Sequence, residues 1–181
     1  MVRQTMMKGL FLIERPTHRD ERGFFREVVR FDELERALGY PFRPVQWNHS
    51  FSLPRVIRGL HAEQWNKLVY PLTGTMFAAI VDLRPEEPTF GNVATFTLRE
   101  EDPKALFISR GLANSLCVIG ETPLHYLYLV DALYDGSDTR AIAWDDPDLA
   151  IRWPVSDPII SERDRKNPRL RDLFPDRFPQ R

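Results

Sequence analysis

Between about residues 42 and 153 the chain alternates short apolar runs with polar breaks. Segments rich in Val, Ile, Phe, Tyr and Thr occupy 45–51, 67–72, 75–83, 93–98, 105–108, 115–119, 124–130 and 139–144, separated by Pro, Gly and Asp. Runs this short, bounded by turn residues, are of strand length. Eight of them predict an all-β sandwich or barrel. One helix interrupts the pattern: Phe31, Leu34 and Leu38 recur at helical spacing, Asp32 with Glu35 can form a capping box, and Gly39 can end it. It is expected to pack on the outside of the sheet. After Trp153 the chain turns polar and proline-rich, and 161–164 can start a short final helix or turn. The expectation is one domain over 1–181, with a polar tail from about 165.

Alternation also sorts side chains within a strand. In 46–50 one face carries Gln46, Asn48 and Ser50, and the other Trp47 and His49. If the Trp face joins the hydrophobic layer, the amides line a polar cavity. The plainer alternative is an edge strand with one wet face.

Composition narrows the class. A chain of 181 residues supports one well-buried core, and 43% hydrophobic with 28% charged residues is ordinary for a soluble protein. A net charge of -1 supplies no field to gather nucleic acid or anionic membrane. The apolar start, Met6 to Ile13, is broken by Lys8 and lacks a small-residue cleavage site, so no signal peptide is expected and the location expected is cytoplasmic. Cys117, in Leu116-Cys117-Val118-Ile119, reads as a buried strand position and excludes an intrachain disulfide. The four histidines, His18, His49, His61 and His125, form no His-x-His pair, so neither metal nor cofactor is expected.

Candidate chemistry concentrates in Val56-Ile57-Arg58-Gly59-Leu60-His61 and Asn66-Lys67-Leu68-Val69. A histidine that titrates near neutrality can take a proton from carbon beside a carbonyl, and Arg58 or Lys67 can hold the oxyanion that results.

These residues belong to an ordered series that includes Asp20-Glu21-Arg22-Gly23-Phe24-Phe25-Arg26-Glu27, Gln46-Trp47-Asn48-His49-Ser50, Val81-Asp82-Leu83-Arg84, Pro88-Thr89-Phe90-Gly91, Tyr126-Leu127-Tyr128, Trp144-Asp145-Asp146-Pro147 and Ile160-Ser161-Glu162-Arg163-Asp164. Over roughly 8–170 the series resembles the dTDP-4-dehydrorhamnose 3,5-epimerase family. The resemblance implies a cupin-type jelly roll with a few short peripheral helices, independence of metal, and a homodimer with N-terminal strands exchanged or packed across a two-fold axis.

The resemblance also implies roles. His61 is the base, Asp164 its carboxylate partner, Tyr128 the acid on the far face of the sugar, and Lys67 and Arg58 the cations near the C4 oxygen and the phosphates. Arg22, Glu27, Gln46 and Asn48 would line the nucleotide-sugar cleft, and Phe24 would pack near the base. Each role has a structural alternative: a core histidine for His61, a packed tyrosine for Tyr128, a solvated charge for either cation. For Asp164 the alternative is the third position of a helix capped by Ser161, which would spend its carboxylate on backbone amides.

Several positions depart from the family pattern. Asn114 stands where the family has a histidine, in Ala113-Asn114-Ser115-Leu116, and Ala78 where it has an aspartate, so a possible second His-Asp pair is lost at both ends. Glu63 replaces a glutamine, Trp65-Asn66 a Gln-Gly, Leu129 a lysine, and Leu133 a tyrosine expected to stack on thymine, although Tyr134 follows. The function expected is epimerisation of a nucleotide-linked 4-keto-6-deoxyhexose at C3, C5 or both through an enolate. The alternatives are a ketoisomerase using the same enolate and a non-catalytic nucleotide-sugar binding module.

Overall fold

The computed structural model describes residues 1–135 and 140–178. In chain order the strands are β1 (Val2–Gln4), β2 (Leu10–Glu14), β3 (Thr17–Asp20), β4 (Gly23–Arg26), β5 (Gln46–Ser52), β6 (Ile57–Ala62), β7 (Lys67–Thr73), β8 (Thr75–Asp82), β9 (Val93–Arg99), β10 (Lys104–Ile108), β11 (Leu112–Ile119), β12 (Leu124–Val130) and β13 (Arg140–Ala141). The helices are α1 (Phe31–Leu38), α2 (Glu162–Arg165) and α3 (Leu170–Leu173). A six-stranded sheet, β1-β2-β10-β7-β12-β5, faces a five-stranded one, β13-β6-β11-β8-β9, and β3 and β4 form a separate hairpin. All paired strands within the sheets are antiparallel, as the predicted jelly roll requires.

Three apolar layers follow from strand alternation. Leu10, Leu12, Val69, Leu106 and Leu124 from one sheet meet Met76, Ile80, Leu98, Leu116 and Val118 from the other in the central layer. Phe11, Ile13, Leu68 and Phe107 point the other way, under Leu34 of α1 and Phe42. On the outer side of the second sheet, Leu60, Val81 and Ala113 are covered by Ile142, Leu149 and Leu170. The C-terminal segment is therefore a layer of the fold, with Leu170 fully buried. Each large side chain so buried contributes roughly 1.5–3 kcal/mol.

The helix starts two residues earlier than a capping box at Asp32 requires. Its N-cap is Arg30, with no side-chain cap. Asp32 thus lies in the first turn, where a carboxylate suits the positive end of the helix dipole, and it pairs with Arg36 at 2.8 Å. Glu35 instead accepts from the Phe42 amide and pairs with Arg43, tying the following loop. Gly39 does end the helix, in the left-handed conformation.

The strand expected over 139–144 is only β13 among the described residues, and Thr139 lies outside them. Cys117 is fully buried, and burial pushes its thiol up to about 12. Among the described residues no helix is long and apolar enough to cross a membrane.

Candidate active site

A cleft of about 530 Å³ opens at one end of the space between the sheets. His61 and Arg58 reach it from β6, Lys67 from β7, Asn114 from β11, Tyr126 and Tyr128 from β12, Ser50 from β5, and Ser161, Arg163 and Asp164 from the α2 region.

The local chain explains why these side chains converge. Leu60 faces the outer layer, so its neighbour His61 faces the cleft. Asn114 is the cross-strand partner of His61, and the register slips between Asn114 and Leu116, a bulge beside the site. Gly59 lies within this crowded stretch at φ +127, where an added Cβ would meet the Ser115 Cβ at 2.6 Å and the Asn114 carbonyl oxygen at 2.8 Å. Tyr128 stands opposite Val69 and Val130 opposite Lys67, which puts Lys67 diagonal to Tyr128 on the inward face.

The two readings of Asp164 turn out to be compatible. Ser161 caps α2 by accepting from the Asp164 backbone N–H at 3.1 Å. The Asp164 carboxylate is left to accept from His61 Nε2 at 2.7 Å and from the Gly59 N–H at 3.3 Å. Burial pushes this carboxyl up, but the His61 hydrogen bond and charge, with the Gly59 amide and Ser161, outweigh burial and hold it below the usual range. An ionised carboxylate only accepts, so Nε2 is the donor, and in the neutral ring Nδ1 holds the lone pair. His61 has the geometry of an oriented base.

Across the cleft the Lys67 Nζ lies 4.9 Å from the centre of the Tyr128 ring. It donates to Glu63 at 2.5 Å and to Asn114 at 3.3 Å. The Tyr128 phenol is raised by burial and then by the Glu63 charge, with Arg58 pulling against both, so it is a proton donor at neutral pH. Tyr126 is fully buried beside it, its phenol pushed well above the ordinary value by burial first. Arg58 is held at the rim by Ser52 Oγ at 2.9 Å and the Phe51 carbonyl at 3.0 Å.

Alternation in β5 is as expected, and of its two open alternatives the edge strand with one wet face is found. Trp47 is 67% exposed and joins no hydrophobic layer, while Asn48 and Ser50 lie opposite Tyr128 and Tyr126 on the inward side. The inward amides are drawn together: Gln46 donates to Asn48 at 2.7 Å and accepts from the Tyr134 amide at 3.0 Å. The Asn48 Nδ2 is buried without a protein partner.

Gln46, Asn48 and the remaining expected residues do not line this chain's cleft. Arg22 is exposed on the β3–β4 turn and bound to Asp20 at 2.6 Å, and Phe24 is exposed beneath the Arg19 and Arg26 guanidiniums. Glu27 pairs with Arg15 and Arg30. Tyr134 is exposed, with its ring edge-on to Trp65 at 6.3 Å.

Glu63, Ser50 and Arg163 line the cleft although no role was expected of them. Glu63 could have been found from its opposite charge four residues before Lys67, and Ser50 from its place on the Asn48 face.

Known proteins resemble this chain in sequence and in fold. Residues 4–172 match the family model described as dTDP-4-dehydrorhamnose 3,5-epimerase. A dTDP-4-dehydrorhamnose 3,5-epimerase of Pseudomonas aeruginosa is 37% identical over 174 residues, covering 94% of each chain. The crystal structure of NovW, a 4-keto-6-deoxy sugar epimerase from the novobiocin gene cluster of Streptomyces spheroides, superposes with a TM-score of 0.93 at 29% identity, covering 97% of this chain and 90% of that one. An epimerase of Legionella pneumophila in complex with dTDP-4-keto-L-rhamnose superposes at 0.88 with 32% identity, covering 100% of this chain and 98% of the other.

Proposed function

The chain belongs to the dTDP-4-dehydrorhamnose 3,5-epimerase family, and from that premise we propose that it inverts the carbons flanking the ketone of a dTDP-linked 4-keto-6-deoxyhexose. The observation that carries this reading is the His61–Asp164 pair at 2.7 Å facing Lys67 and Tyr128 across one cleft.

The steps follow from the atoms. His61 Nδ1 takes the proton from C3 or C5, and the electron pair left behind moves through the carbonyl to make an enolate with its charge on the C4 oxygen. The imidazolium formed is stabilised by Asp164, and the oxyanion by the Lys67 ammonium. Tyr128 delivers its phenolic proton to the opposite face of the carbon, and water restores both groups. No electron is gained or lost overall.

Proton NMR in deuterated water with dTDP-4-keto-6-deoxyglucose tests this. The native chain is expected to exchange hydrogen at C3, C5 or both, and His61→Ala to lose that exchange by roughly 10²–10⁴-fold. Binding of the nucleotide sugar without exchange would overturn the epimerase reading, and a migrated carbonyl in the product would make the chain a ketoisomerase.

The site is proposed to act within a homodimer. Trp47 and Phe51 on β5, an edge strand of the six-stranded sheet, and Leu53 just beyond it are exposed, and an unpaired apolar edge suits a second copy. Arg22 and Phe24, which the resemblance assigns to a cleft, are exposed on a separate hairpin and do not line their own. A partner's cleft would account for them. Sedimentation velocity should give a dimer for the native chain and a monomer for Trp47→Asp; a native monomer would refute the assembly.

A further inference from the structure

Two departures from the family pattern, Glu63 and Asn114, touch each other. Asn114 Nδ2 donates to Glu63 Oε2 at 2.6 Å and to the His61 carbonyl oxygen at 2.9 Å. Glu63 Oε1 accepts from Lys67 Nζ at 2.5 Å, and Lys67 also donates to Asn114 Oδ1 at 3.3 Å. The Lys67 and Glu63 side chains are only 7% and 14% exposed. Three side chains therefore close a ring shielded from water, next to the backbone of the base.

The ring requires two acceptor atoms at position 63. Both neighbours of that side chain are donors, the Asn114 amide nitrogen and the Lys67 ammonium. A carboxylate satisfies both, whereas a glutamine offers one acceptor and one donor and sets N–H against N–H on one side or the other. Turning the Asn114 amide over gives no relief, because it would aim N–H groups at Lys67 and an oxygen at the His61 carbonyl.

We propose that Glu63 is a positioning residue for the proton transfers: anchored by Asn114, it holds the Lys67 ammonium in front of Tyr128 and supplies the counter-charge for a buried lysine. Two of the three Lys67 N–H groups are occupied in the ring, which leaves one for a ligand oxygen. The same carboxylate, after burial, keeps the Tyr128 phenol protonated. The clamp and its charge exist whatever the ligand; the effect on turnover rests on the epimerase reading.

The test uses the full-length chain with Glu63→Gln, Glu63→Ala and Glu63→Asp. Ionisation of Tyr128 is followed by phenolate absorbance, each variant being compared with the same variant carrying Tyr128→Phe, while NMR follows exchange of dTDP-4-keto-6-deoxyglucose across pH. In Glu63→Gln and Glu63→Ala, Tyr128 should ionise at lower pH, and the alkaline limb of kcat/KM should move down with it. In both, kcat should fall roughly 10–100-fold with a smaller change in KM. Glu63→Asp, which keeps the charge, should leave the Tyr128 titration near that of the native chain. Glu63→Ala serves if the mismatched amide of Glu63→Gln prevents folding. An unchanged Tyr128 titration in the charge-removing variants would overturn the proposal, as would a lower kcat with an unmoved alkaline limb. If the native chain exchanges nothing, the epimerase reading fails by itself, and the phenolate titration still decides for or against Glu63.

Discussion

Asp82 and Asp164 are both buried carboxylates held below the usual range, yet they sit in surroundings built to opposite ends. Burial pushes Asp82 up, but it accepts from Arg84 at 2.6 and 2.8 Å, from the Arg84 amide at 3.1 Å and from Thr89 at 2.5 Å, which together hold it down. Its partner is a guanidinium that never gives up its proton, so the cluster is a lock on the β8–β9 corner. Asp164 has a histidine and one amide as partners, and the histidine can change charge. A fixed cation makes a carboxylate structural, and a titratable one makes it available for chemistry.

Removing each charge should separate the two. Asp164→Asn is expected to lower deuterium exchange roughly 10²–10⁴-fold, through loss of ring orientation and of the counter-charge to imidazolium, while the chain remains folded. Exchange within a few-fold of native would break the contrast, since Asp164 would then be no more than a strut. Asp82→Asn leaves the partly buried Arg84 guanidinium without its carboxylate, a loss of about 3 kcal/mol or roughly 6–12 °C in Tm by calorimetry, with turnover per folded molecule unchanged.

The dependence on acid sharpens the same comparison. A carboxylate depressed in the folded state contributes stability that is fully present above its unfolded value of about 3.9 and is lost as pH falls through the folded value. Denaturant titrations of native and Asp82→Asn chains should therefore differ at neutral pH and converge in acid. A gap of constant size would mean that shape rather than charge holds the corner.

The two aspartates also differ in how far the sequence exposed their roles. The motifs around Asp82 and Thr89 close on one another within a few residues, and Asp146 likewise accepts from the Asp148 amide two residues on. Such knots are local enough to survive as recognisable strings. The His61–Asp164 pair spans 103 positions, and only the family resemblance joined its halves. Tyr128 too was assigned by the resemblance, and alternation gave no sign of β2, because Leu12 faces the central layer while Phe11 and Ile13 lie under α1, which leaves an unbroken apolar run. The β3–β4 hairpin was hidden for the converse reason, being largely exposed. Alternation left the face of Trp47 open, and the edge-strand alternative is the one found, with Trp47 in solvent and Asn48 and Ser50 on the face of the cleft tyrosines. The Glu63–Asn114 contact lies beside a bulge in β6, where Gly59 and Leu60 together stand opposite Ser115, a register shift that periodicity cannot encode.

The smallest effect tests how Asp164 is held. Its helix, α2, has four residues, too few to persist without tertiary support, and the Ser161 cap closes its only turn. Ser161→Ala should cost about 1 kcal/mol locally, which caps the loss of exchange at roughly tenfold, with little change in KM. The loss stays small because the carboxylate is held by His61 and the Gly59 amide as well as by its own backbone. Ser161 also lines the cleft, and this gives the measurement its second edge. A loss as deep as that of Asp164→Asn would mean that the hydroxyl touches the substrate, whereas a loss in line with the cap means that it acts by keeping the carboxylate free for the histidine.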